Sequence, residues 1–295
     1  MRWEGNEQSD NVEDRRDSGG GGGGFGLPIG GRGLGIGTIA IALVAGWIFG
    51  INPLTMLSLL SGGGGQVAPH VQQAPAHAPP ANDKQAAFVS TILRNTEQVW
   101  GQIFQEGGAT YHPPRLVLFR GATPTACGTG QTAMGPFYCP GDQKVYIDLA
   151  FFDTLKNQLG SPGEFAQAYV IAHEVGHHVQ DELGITAKVD ALRSRQSAAQ
   201  ANATSVRVEL QADCFAGVWA QRADQSKHWL EPGDIASAMH AAQQIGDDTL
   251  QRSAGRAVVP DSFTHGTSAQ RQRWFHNGYE GATVKSCDTF SARTL

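Results

Sequence analysis

The sequence predicts a mainly helical α+β domain with a small sheet, preceded by one transmembrane helix. Three observations predict it. Residues 161–184, SPGEFAQAYVIAHEVGHHVQDELG, repeat apolar side chains at helical spacing. Residues 115–120 (RLVLFR) and 144–149 (KVYIDL) are short β-branched and aromatic runs that read as strands. Residues 33–60 carry no charged side chain, and an apolar run of that length can cross a bilayer core.

Residues 1–32 are polar and Gly-rich, with six consecutive Gly from Gly19 to Gly24. Such a composition buries too little apolar surface to offset the entropy of ordering, so a disordered tail is expected. The Gly run is no phosphate loop, because no Gly-Lys-Ser/Thr follows it and no strand precedes it. Ile, Leu, Val, Ala and Gly dominate residues 34–51, and the extension to Leu60 leaves slack for tilt. Arg2, Arg15, Arg16 and Arg32 precede this span, and the next basic side chain after it is Lys84. The positive-inside rule therefore places the N-terminus in the cytoplasm and everything after Leu60 across a single-pass cell membrane. Gly46-x-x-x-Gly50 has the spacing that packs two such helices into a homodimer. Residues 61–81 form a Gly, Pro, Ala and Gln tether. The globular domain is expected over 82–295, with Asn82 capping its first helix.

Between the two strands lies a Gly, Pro and Thr-rich loop bounded by Cys127 and Cys139. Across the membrane these two read as a disulfide, with a pair of free thiols or soft metal ligands as the other reading. Eleven intervening residues and no nearby Cys-x-x-Cys argue against a zinc knuckle. Cys214 and Cys287 are left as a second bridge or as two thiols. The net charge of -5 and pI near 6.0 leave no basic footprint, which excludes nucleic acid as the expected partner.

Ser161 and Glu164 have capping-box spacing, Pro162 suits a first helical position, and Gly184 supplies a stop. Within this helix His173-Glu174-Val175-Gly176-His177 sets two His four residues apart, one turn apart on one face, where they can share a metal ion. Tyr169 falls on the apolar stripe and reads as packing. His178 is rotated about 100° from His177 and is not expected to reach the ion.

Catalytic zinc takes three protein ligands and keeps an open position. Residues 206–221, VRVELQADCFAGVWAQ, supply Glu209 and Asp213 at i and i+4 of a second helix. Glu209 is the candidate third ligand. Asp213, one turn on, is placed to accept the outer ring N–H of a ligating His. A solvated acidic face is the other reading, weakened by the neighbouring Ala212, Phe215, Ala216 and Trp219. Further on, Thr267 and Gln270 form a capping box before a last helix carrying Arg271, Trp274, Phe275 and Tyr279. Asp247 and Asp248 read as a surface cap or ion pair ending a helix that opens at Asp234.

HEVGHHVQ followed by RVELQADCFAGVW resembles the bacterial neutral zinc metallopeptidases of the YpfJ type, as do residues 135–152 and 261–279. The resemblance implies a zincin-like fold of the gluzincin type, with zinc held by His173, His177 and Glu209. It implies a zinc-dependent peptidase, with Glu174 as general base and later proton donor, acting on a protein or peptide substrate. The Glu209-x-x-Ala212-Asp213 segment is also similar to the membrane-associated gluzincins, in which His-Pro-x4-Arg follows the ligand helix. Here that segment is His265-Gly266-x4-Arg271, with Gly in place of Pro. His265, and less directly Arg271, are candidates to stabilise developing oxyanion charge. Two other functions fit the same residues. Zinc could only staple two helices in a non-catalytic envelope-binding module, or the metal could serve hydrolysis of a non-peptide amide.

Overall fold

The apolar runs RLVLFR and KVYIDL form the centre of a sheet. In the computed structural model, which describes residues 1–19, 77–157, 159–161, 163–253 and 257–295, β2 (Arg115–Phe119) pairs in parallel with β6 (Lys144–Asp148), Leu116 opposite Val145. Their Leu116, Leu118, Val145 and Ile147 side chains are buried on the helix-facing side, as expected of strands covered on that face. Two strands complete the sheet. β1 (Val12–Asp14) pairs in parallel with β2, and β5 (Phe137–Cys139) runs antiparallel along β6, giving the order β1-β2-β6-β5. A separate hairpin, β3 (Ala122–Thr125) and β4 (Gly128–Gln131), fills part of the loop between β2 and β6.

The place of β1 corrects, for residues 1–19, the expectation of a disordered 1–32 tail and of a domain beginning at residue 82; residues 20–32 lie outside the described residues. Met1–Gly19 belong to the same compact unit as the described chain from His77 onward. Polar composition misled the reading because this tail docks through charges as well as apolar groups. Glu13 accepts from Lys144 Nζ (2.9 Å) and Arg115 Nη1 (3.1 Å), Asn11 bonds Glu97 (2.8 Å), and Trp3 packs edge-on against Phe88. The expected span 33–60, its Gly46 and Gly50, and nearly all of the 61–81 tether lie outside the described residues. Among the described residues no helix is long and apolar enough to cross a membrane.

The helices are α1 (Lys84–Glu106), α2 (Ala150–Asn157), α3 (Glu164–Glu182), α4 (Ile185–Arg193), α5 (Ala198–Lys227), α6 (Asp234–Gln244), α7 (Asp247–Ser253) and α8 (Ser268–Gly281). Asp83, one residue after the expected Asn82, caps α1 by accepting from Gln85 and Ala86. The Ser161–Glu164 capping box does not form: Gly163 is the N-cap of α3, and Ser161 Oγ bonds His240 Nδ1 instead (2.8 Å). Gly184 ends α3 as expected, in the left-handed conformation that lets the chain turn into α4. The expected Cys127–Cys139 disulfide is present across the hairpin loop, and Cys214 and Cys287, left open between a bridge and two thiols, form a second one between α5 and the chain beyond α8.

Close helix crossings set the site. A Cβ at Gly176 of α3 would lie 3.0 Å from the Ala212 carbonyl oxygen of α5, so Gly in the H-E-x-x-H stretch is what lets α5 approach. On the other side of α5, Gly217 meets the Phe275 backbone of α8, and Gly278 meets that of Cys214. Side chains at these glycines would hold the backbones apart.

Candidate metal centre

Glu209, on the stretch of α5 next to Ala212, arrives beside the two His of α3. One ligand atom from each of His173, His177 and Glu209 falls within 4.8 Å of the others. Glu209 Oε2 is 3.2 Å from His173 Nε2, and Oε1 is 3.6 Å from His177 Nε2. The outer nitrogens are already engaged: His173 Nδ1 with Asp213 Oδ1 (2.9 Å) and His177 Nδ1 with Gln180 Oε1 (2.9 Å). Both rings are therefore fixed with Nε2 facing Glu209, the arrangement a metal-ligating imidazole needs. Two imidazoles and one carboxylate match the donor set of an open, catalytic zinc site. The residues present fit the ion.

Behind His173 lies a buried network that the sequence only half announced. Asp213 is fully buried and accepts a two-pronged contact from Arg271, Nε to Oδ2 at 2.8 Å and Nη2 to Oδ1 at 2.9 Å. Tyr169 donates its hydroxyl to Asp213 Oδ1 (2.5 Å) and accepts from Arg271 Nη2 (3.1 Å). Tyr169 is thus more than packing, and Arg271 holds Asp213. Burial pushes the Asp213 carboxyl up, but Arg271 and His173 outweigh it and hold it at about 2. Burial disfavours the His173 imidazolium, yet Asp213 and Glu209 raise it to about 10 in the metal-free site. Glu209 is held well below the usual carboxylate range, against its burial, chiefly by His177, His265 and His173.

His173, His177 and Glu209, with Glu174 and His265, line one cavity of about 830 Å³. Glu174 is 8% exposed and, among the described residues, receives no hydrogen bond. His265 sits on a loop gathered by Asp247, whose Oδ2 accepts the backbone N–H groups of Thr264, His265 and Gly266 at 2.6–3.0 Å. Asp247 Oδ1 lies 3.3 Å from His265 Nδ1. Asp247 therefore opens α7, rather than ending the helix from Asp234, and anchors His265; the ion-pair reading of Asp247 and Asp248 holds, with His265 and Arg252 as the partners. The Asp247–His265 pairing is 18 residues apart, and no local pattern marks it. His178 is kept from the site, as its rotation predicted, by bonds to the His112 carbonyl (2.7 Å) and Tyr138 (3.1 Å).

A sequence profile of the family described as "Putative neutral zinc metallopeptidase" matches residues 1–290. The chain belongs to this family. An Escherichia coli (strain K12) relative, the uncharacterized protein YpfJ, is 51% identical over 98% of this chain and 99% of its own length. A Mycobacterium bovis relative, the uncharacterized protein Mb2605, is 45% identical over 63% of this chain and 65% of its own. No solved structure matches. The match from residue 1 agrees with the fold, in which the first strand belongs to the metallopeptidase domain.

Proposed function

We propose that the chain is a zinc-dependent endopeptidase that cleaves extended polypeptides outside the cytoplasm. The observation that carries this reading is Glu174, an acid without a hydrogen-bond partner among the described residues, facing the same cavity as three zinc-type ligands. A structural site has no use for such a group. When bound, zinc supplies Lewis acidity toward a carbonyl and lowers the pKa of a water ligand. Glu174 takes the proton from the attacking water and passes it to the leaving amine, which restores its carboxylate. His265, oriented by Asp247, donates to the oxygen on which negative charge develops. Arg271, Asp213 and Tyr169 hold His173 in the tautomer with Nε2 toward the ligand set.

Two features favour a polypeptide over a small amide. Among the described residues β5 is the outermost strand of its sheet, and its Phe137 and Tyr138 line the cavity, so an extended backbone can pair along its outer edge. Exposed large apolar side chains gather around the same cavity. Met134 (63% exposed) and Leu250 (39%) line it, as do Ile185 and Val189 of α4. The two disulfides fit an oxidising compartment.

The test uses the full chain, purified with zinc, beside Glu174→Gln. The expected result is equal zinc content and cleavage of an unfolded protein by the parent alone. Zinc in both and proteolysis in neither would refute the reading and favour the zinc-stapled binding module.

A further inference from the structure

Arg15 and Arg16, two of the basic residues that suggest a cytoplasmic N-terminus, help fasten it to the zinc-binding domain. Arg16 pairs with Asp14 and with Asp83 at the start of α1 (2.6 Å), and Arg15 pairs with Glu13 (2.5 Å), which also holds Lys144 and Arg115. The backbone is interlocked as well. Leu116 N–H donates to the Asn11 carbonyl (2.9 Å) and Arg15 N–H to the Leu118 carbonyl (2.8 Å), either side of the β1–β2 register. Ser9 Oγ donates to Glu97 of α1 (2.5 Å), and Ser90 Oγ donates back to the Ser9 carbonyl (2.8 Å). Trp3 and Val12, each 6% exposed, join the main core. At the far end of the gap in sequence, the His77 carbonyl accepts from Asp14 N–H (2.8 Å).

A strand cannot hydrogen-bond its neighbour across a hydrocarbon layer of about 30 Å. If the uncharged stretch 33–60 carried the chain across a membrane once, Met1–Gly19 and the zinc-binding domain would end on opposite sides. We infer that Met1–Gly19 and the zinc-binding domain share one compartment, so that no single crossing separates them. The positive-inside count fails here for a physical reason. It treats Arg15 and Arg16 as free charges next to a span, whereas both are bound within a folded unit. The inference rests on the strand pairing and not on the peptidase reading.

All four cysteines are in disulfides, so one added cysteine gives a unique thiol. Gln8→Cys and Glu280→Cys, both at exposed positions, would be introduced separately into the full chain in cells. Each would be treated with a membrane-impermeant maleimide before and after lysis. The expected result is labelling of both before lysis. Protection of both until lysis would also support one compartment, while contradicting the extracytoplasmic reading above. Labelling of one position before lysis and of the other only afterwards would overturn the inference.

Discussion

Replacing Arg271 by Met tests whether the site depends on charge compensation behind its first His. The substitution keeps much of the side chain's bulk and removes the guanidinium. Asp213 loses contacts at 2.8 and 2.9 Å and has no solvent exposure through which water could replace them. Breaking a buried pair in this way costs about 3–5 kcal/mol, mostly from the charge left uncompensated. Asp213 then regains a proton more readily and accepts less well from His173 Nδ1. Loss of such an orienting partner lowers zinc affinity about 10–100-fold. Denaturant unfolding of the zinc-free protein reads the first quantity, and competition with a chromophoric chelator reads the second. Asp213→Asn combined with Arg271→Met should be more stable than the two single effects summed, by about 1 kcal/mol or more. The reasoning fails if Arg271→Met leaves both stability and zinc affinity unchanged, because Asp213 would then need no cation.

Four further outcomes are expected. His265→Ala should lower kcat about 10²–10³-fold in a peptide assay while zinc content stays at the parent level. Gly278→Ala places a methyl against the Cys214 carbonyl. Moving α8 off α5 should cost about 1–3 kcal/mol or more in denaturant unfolding and should loosen zinc, since Arg271 moves with α8. Zinc must expel the protons that His173, raised to about 10, and His177, also raised, hold in the metal-free site. Apparent zinc affinity, measured by chelator competition, should therefore climb as pH rises from 6 to 8, by about one to two powers of ten per unit. Burial pushes Glu13 up, but Lys144, Arg15 and Arg115 hold it at about 2 against an ordinary 4.5. Its contribution is present above 4.5 and is lost as pH falls toward 2, so Glu13→Gln should flatten this part of the acid unfolding curve.

The candidate metal centre was legible because its pattern is local and helical. A turn of helix dictates that His173 and His177 share a face, and Glu209 and Asp213 repeat that spacing within an apolar stretch. The central strands were legible for the same reason, as short β-branched and aromatic runs with turn residues around them. Both disulfides could be paired as candidates from four cysteines and a compartment.

Tertiary packing decided the rest. Gly176, Gly217 and Gly278 look interchangeable with other helix glycines until their neighbours are known, yet they set how closely α3, α5 and α8 approach. Arg271 carries no local mark that it will cover Asp213 rather than face substrate, because it comes from a helix 58 residues further on. Asp247 likewise meets His265 only through the loop after α7. The first strand was hidden most completely. Residues 11–16 read as a polar run, and its charges become structural only beside Lys144, Arg115 and Asp83, brought in from distant parts of the chain. Spacing along one helix is fixed by covalent geometry. Partnership between elements is fixed by which surfaces bury each other, and in this protein that choice joins the first strand to the metal-binding domain.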